Sequence, residues 1–336
     1  MMIQTRTTQH VIIMCLIVFG VSSCSSHTNK TQIKNHPFSC PTKYTTIDNE
    51  QKQSILDSTQ QAIGKRFVSV THRIDNFLSN KTVEPKVNNS YLLLTIQGTN
   101  FREQDDETDV SINAKLDLPN TKERFKIFFD SVLDEQQSVE QRASAVSSGE
   151  VVRSDQSTAG LEYQKKTEAN QWRRGIKVGL TTRSPFQPFI RYRLSKGWNI
   201  FKETQLNVKQ DFWYLDGTGW GETTQIDIES QLTPDSYLLF NTDVEFEQEE
   251  RPITYSQFVS IYTNLSDKQA INYRIGAIGS NDASGLIDSY LTNIHFIRRL
   301  RGDWLLASVI PEIIIRSERN WHPEPSITLK FDFFFK

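Results

Sequence analysis

The stretch Leu238-Leu239-Phe240-Asn241-Thr242-Asp243-Val244-Glu245-Phe246-Glu247 decides the fold. Leu238, Phe240, Thr242, Val244 and Phe246 alternate with Leu239, Asn241, Asp243, Glu245 and Glu247. This period of two gives an extended chain one mainly apolar face and one wet face. The run is longer than the ~5–6 residues of an ordinary strand and matches the ~9–11 of a tilted bilayer crossing. The pattern recurs. Val110, Ile112, Ala114, Leu116 and Leu118 alternate with Ser111, Asn113, Lys115 and Asp117. Ile271, Tyr273, Ile275 and Ala277 alternate with Asn272, Arg274 and Gly276, and Ile327, Leu329, Phe331, Phe333 and Phe335 with Thr328, Lys330, Asp332, Phe334 and Lys336. Fourteen such segments are read, at 89–101, 109–118, 123–132, 158–167, 172–182, 187–196, 199–214, 220–232, 235–247, 254–264, 269–279, 286–299, 303–316 and 326–336. They predict an all-β fold, an antiparallel transmembrane β-barrel of about fourteen strands, with twelve as the alternative.

The connections test that count. Membrane barrels alternate short turns at one end with longer loops at the other. The even connections are short: Asn120-Thr121-Lys122, Glu168 to Gln171, Lys196 to Trp198, Thr233-Pro234, Ser266-Asp267-Lys268 and Arg301-Gly302. Most odd ones are longer, up to Leu133–Ser157, and only the one at Ser184-Pro185 departs from the rule. A wrong strand count would scramble this parity. All six Trp (172, 198, 213, 220, 304 and 321) fall at or beyond the expected strand ends, which predicts interfacial girdles. Pro311 cannot donate to a closed ladder, so a bulge is expected there.

Composition fits. The 336 residues carry 38 Lys plus Arg against 40 Asp plus Glu, a formal charge of -2. That balance excludes a nucleic-acid binder, which needs a basic excess to neutralise phosphates. The mean hydropathy is negative. Strands that are apolar on alternate residues average to such a value, so it excludes helical spans and leaves a barrel standing.

Residues 1–23 read as an export signal. Arg6 supplies the charge and Val11–Val21 the short apolar region. Val21-Ser22-Ser23-Cys24 resembles the lipobox of bacterial lipoproteins, with Val where Leu is commoner, and the resemblance implies an acylated Cys24. Ordinary cleavage nearby would instead leave Cys24 and Cys40 able to form a disulfide in an oxidising compartment. Residues 24–47 are a polar tether. Within 48–87, Ile63, Phe67, Val70, Ile74 and Phe77 are spaced 4, 3, 4, 3 and predict one apolar stripe of an amphipathic helix over about 48–80. Such a helix packs on its own barrel, plugs it, forms an oligomerisation seam, or engages a periplasmic protein partner. The barrel takes 88–336.

The C-terminal Leu329–Lys336 (LKFDFFFK) resembles the assembly signal of Gram-negative outer-membrane barrels, with Phe331, Phe333 and Phe335 as the alternating aromatics. Lys336 follows where that family usually ends on an aromatic. The resemblance implies a bacterial outer-membrane location, contact with lipid and lipopolysaccharide, and the barrel-assembly machinery as folding partner. The layout is similar to uncharacterised proteobacterial proteins with an exported N-terminus, a short helix and a C-terminal barrel, for which no activity follows.

Candidate lumen residues carry both signs: Lys177, Arg191, Arg193, Lys209, Asp211, Asp227, Glu229, Asp243, Glu245, Arg274, Lys330 and Asp332. Mixed signs predict a salt-bridged interior or a weakly selective channel rather than a strongly ion-selective pore. Asn293 and His295 share a strand face, and Ser289 or Ser308 could lie nearby, the residue types of an acyl-transfer site. A lining role is the simpler reading of His295, and no enzyme is expected. The acidic run Glu103–Asp109 matches no calcium loop, and Gly217-Thr218-Gly219-Trp220-Gly221 is a hairpin turn rather than a phosphate cradle. No metal or cofactor is expected. Function is read as structural anchor or assembly component of an envelope complex. The alternative is a channel or transporter for small solutes, and a lipid-modifying enzyme stands far behind.

Overall fold

A computed structural model describes residues 57, 60, 61, 63–65, 67, 68, 90–102, 105–118, 125–130, 157–165, 171–182, 186–248, 253–281 and 286–336. The strands are β1 (Tyr91–Phe101), β2 (Glu107–Asp117), β3 (Phe125–Asp130), β4 (Thr158–Gln164), β5 (Arg173–Thr181), β6 (Pro188–Phe201) and β7 (Thr204–Leu215). They continue with β8 (Gly219–Thr233), β9 (Ser236–Glu247), β10 (Ile253–Ser266), β11 (Gln269–Ser280), β12 (Ser289–Arg301), β13 (Leu305–Arg316) and β14 (Pro323–Phe335). Each is antiparallel to its neighbours in sequence, and β1 pairs β14, so the sheet closes as a fourteen-stranded barrel. The twelve-strand alternative is set aside.

Closure leaves no edge. Thr95 pairs Asp332 and Ile96 pairs Phe331 along the seam. The seam is also tied by side chains: Thr95 Oγ1 donates to Asp332 Oδ1 at 2.6 Å, and the Thr99 and Thr328 hydroxyls lie 2.9 Å apart. Followed once round the barrel, the paired registers return to β1 displaced by about twenty residues, a large stagger that tilts the strands and widens the barrel.

The two faces separate as the alternation requires. Ile112, Val178, Ile190, Phe212, Phe240, Val244, Ile261, Ile275 and Leu329 point outward and are exposed. Thr95, Ser111, Thr158, Thr181, Ser256, Asn272, Ser289 and Thr328 point inward and are buried. Outward polar groups pair with one another: Thr224 donates to Gln210 and Thr242 to Gln257. Four short connections at one rim (the turn end) are Lys202-Glu203, Pro234-Asp235, Asp267-Lys268 and Gly302–Trp304. The opposite rim is the loop end.

Three expectations need correction. The β6–β7 turn lies at Lys202-Glu203, not at 196–198. Gly197 looked like a turn residue, yet it pairs Asn207 inside the ladder, where a Cβ would sit 2.6 Å from Asn207 Oδ1. Its glycine serves close packing. Trp213 is no girdle residue: it shares its face with Asp211, points inward and is 1% exposed. The other tryptophans lie near the rims, Trp172 edge-on to Trp198, Trp220 against Tyr214 and Trp321 against Tyr290. Pro311 makes no bulge. It pairs Ile327 in register, and the ladder to β12 instead lapses between the Asn293–Glu312 and Phe296–Val309 pairs. Pro311 faces outward, and its missing N–H is absorbed by that lapse.

One packing device repeats around the inside. Phe128 pairs Gly160, Phe189 pairs Gly179, Trp213 pairs Gly221 and Phe258 pairs Gly276. A Cβ on Gly160 would lie 2.8 Å from the Phe128 ring, and one on Gly179 2.8 Å from Phe189. On Gly221 and Gly276 it would run into Trp213 and Phe258. Each aromatic therefore lies flat on a neighbouring glycine, so four large inward side chains are held against the wall. Substitution of Gly221 by Val should lower unfolding stability by roughly 1–3 kcal/mol through overpacking. Urea titration in lipid vesicles checks this, and adding Trp213→Ala should recover part of the loss.

Candidate functional site

The lumen wall gathers the charges read from the sequence. Lys177, on β5, places Nζ 2.9 Å from Asp130 Oδ2 and 4.0 Å from the centre of the Phe128 ring. Arg193, on β6, makes a two-pronged bond to Asp211 on β7, with Nε to Oδ1 and Nη2 to Oδ2 both at 2.7 Å. Arg191 lies one lumen position toward the loop end and is 3% exposed. Asp227 on β8 accepts from Asn241 Nδ2 at 2.7 Å, and Glu245 on β9 accepts from Thr223 Oγ1 at 3.1 Å. Lys209, Glu229 and Asp243 share these inward faces, because they stand two residues from Asp211, Asp227 and Glu245. Arg274 on β11 stacks its guanidinium 3.8 Å from the Phe258 ring centre. On β14, Lys330 pairs Asp332 at 3.2 Å.

Phe331, Phe333 and Phe335 stand on the outward face of β14, opposite Ile96, Leu94 and Leu92 of β1. The residues weighed for acyl transfer all face inward. Asn293 Nδ2 donates to Glu312 Oε2 at 2.8 Å, and Ser308 pairs Ile297 rather than His295. In the acidic run, Asp106 accepts from Asn100 at 2.6 Å. Gly217 and Gly219 both have φ of 88°, a left-handed conformation that glycine adopts freely, and they shape the β7–β8 turn.

The described helical residues between 57 and 68 rest on the turn end. Asp57 reaches the β12–β13 turn from both carboxylate oxygens: Oδ2 lies 2.8 Å from Arg301 Nη2, and Oδ1 accepts from Trp304 Nε1 at 3.2 Å. Gln60 Nε2 donates to the Phe334 carbonyl at 3.1 Å. Gly64 is buried, and a Cβ there would stand 2.5 Å from the Lys336 carbonyl oxygen. Positions 57, 60 and 64 form one helical stripe. That stripe is polar and small, and it is offset from the apolar stripe marked by Ile63, whose side chain is exposed. Phe67 is half-buried. Val70, Ile74, Phe77 and Cys24 lie outside the described residues.

Sequence reasoning missed the inward aromatics and the apolar patch of Phe258, Ile278, Leu291 and Ile314. It also missed Asp57, Gln60 and Gly64. The signal for the aromatics was an inward glycine directly opposite, which requires the register.

No family model matches the chain, and no curated protein matches it. Among solved structures it is similar to the KdgM porin, at 7% identity and a TM-score of 0.36 over 72% of this chain and 98% of that one. It is also similar to OmpT, outer-membrane expressed, of Vibrio cholerae (8%, 0.43, 76% and 100%). A third is the outer membrane channel DcaP of Acinetobacter baumannii (7%, 0.44, 74% and 97%). Likeness at this level carries nothing on function. The closed antiparallel topology and the apolar outer face give this chain the architecture of a Gram-negative outer-membrane β-barrel.

Loss of the Asp57 contacts removes a half-exposed ion pair and a hydrogen bond, worth together about 1–2 kcal/mol. Asp57→Ala should therefore raise the rate of limited proteolysis within 57–68 by roughly 5- to 30-fold. Gly64→Leu should do the same, with the barrel's own unfolding midpoint unchanged.

Proposed function

We propose that this chain is an outer-membrane channel for small polar solutes, with the helical segment of residues 57–68 seated at its periplasmic mouth. One observation carries the reading: a fourteen-stranded wall with a large stagger, on which four of the large inward aromatics, Phe128, Phe189, Trp213 and Phe258, pack against glycines of the neighbouring strand. Eight strands are filled by their own side chains and ~16–18 leave an aqueous channel. Fourteen strands, with four of the inward aromatics packed onto the wall, fall on the open side of that range. The paired charges supply a wet lining without a dominant sign, which favours weak selectivity.

The placement of the turn end follows the same reading. Short turns and both chain ends belong at the periplasmic side, so a lipidated Cys24 would tether the segment to the inner leaflet. The barrel-assembly machinery is the expected folding partner. A structural anchor is the second reading, and the contacts of Asp57, Gln60 and Gly64 favour it, because they fix the segment to the barrel at a defined place.

Reconstitution of the full chain in planar bilayers tests the first reading. Discrete conductance steps are expected, larger or longer-lived with Asp57→Ala. Silence in both forms would leave the anchor. Metabolic labelling with palmitate checks the lipid: incorporation is expected in the natural chain and none in Cys24→Ser.

A further inference from the structure

The charges of the lumen are sorted by strand. Among the described residues, every charged side chain that β5 and β6 turn inward is basic: Arg173, Lys177, Arg191 and Arg193. Every one that β8 and β9 turn inward is acidic: Asp227, Glu229, Asp243, Glu245 and Glu247. β7 lies between them and carries one of each sign. Its Asp211 faces the basic side through the bond to Arg193. Its Lys209 pairs Gln225, next to Asp227 along the inward row of β8. Beyond the acidic sector, the inward face of β10 (Thr254, Ser256, Phe258, Ser260, Tyr262) bears no charge. The remaining wall is mixed, with Lys115 against Glu162 and Lys330 against Asp332.

Sorting changes the physics of a balanced lining. Alternating signs cancel within a few ångströms of the wall, whereas blocks of one sign project a field across the water column. Low-dielectric walls confine that field. Some of the charge faces water: Arg193 keeps a side-chain exposure of 36% while bonded to Asp211, and Asp227, Glu229 and Asp243 are half-buried. An ion of either sign is attracted by one sector and repelled by the other. A solute with a cationic and an anionic group a few bonds apart meets both sectors favourably at once.

We propose that the lumen prefers small zwitterions over ions of either single sign, with β5–β6 receiving the anionic group and β8–β9 the cationic one. The proposal rests on the channel reading and assigns the class of solute.

The test uses the full chain in liposomes and three probes of one size: alanyl-alanine, its N-acetyl form (anionic) and its C-terminal amide (cationic). The zwitterion is expected to enter faster than both capped forms, by up to the order of tenfold. Asp227→Asn with Asp243→Asn should shift the reversal potential in a salt gradient toward anions. Arg173→Gln with Lys177→Gln should shift it toward cations, and each pair should remove most of the zwitterion preference. Equal entry of the three probes into the natural chain's liposomes would overturn the proposal, as would shifts of one sign in both variants, while conductance itself persisted. Absence of any conductance would overturn the channel reading first. Compact migration of unheated protein on gels identifies folded variants, and if the acidic pair fails to fold, the sign of the shift in the basic pair decides.

Discussion

Everything in this molecule depends on the pairing of its first strand with its last. In hydrocarbon there is no water to take up a free amide or carbonyl, so each unpaired backbone group costs several kcal/mol. An open sheet would present two such rows. The β1–β14 seam removes both, and inward hydroxyls and a carboxylate, through Thr95–Asp332 and Thr99–Thr328, reinforce it from the wet side. Once the seam is closed, the outer face is free to be apolar and the inner face to be polar, and the alternation read in each strand becomes a physical boundary between lipid and a polar interior.

That boundary explains why so much was legible. A period of two, strand lengths near a bilayer crossing and the parity of short and long connections are all local properties of the chain. They gave the strand count and, with it, the face on which each charged residue was expected. What escaped them depends on register. Trp213 sits near a strand end, as an interfacial tryptophan does, yet parity within β7 turns it inward, and only its pairing with Gly221 explains how a ring fits there. Gly197 has the composition of a turn but the position of a packing contact. The sorting of charge by strand appears only when the inward residues are separated from the outward ones and followed strand by strand around the wall. In the linear sequence the same residues read as a balanced mixture.

The helical segment shows a second limit. Its apolar stripe was the conspicuous feature, yet among the described residues Asp57, Gln60 and Gly64, a quarter-turn away, make contacts with the barrel. A hydrophobic pattern predicts which face leaves water. The rim of a barrel offers carbonyls, an arginine and an indole N–H, and these select polar partners.

The seat of that segment also fixes an order of events. Thirteen of the fourteen strand pairings join neighbours in sequence and close loops far shorter than the seam's. The seam joins Leu92 to Phe335 across nearly the whole barrel sequence and carries a far larger loop-closure cost. The segment's contacts are with Arg301, Trp304, Phe334 and Lys336, all far later in the chain than the segment itself. A segment that precedes the barrel thus finds its seat only after β12, β13 and β14 exist, so its docking follows the assembly of those strands rather than guiding it.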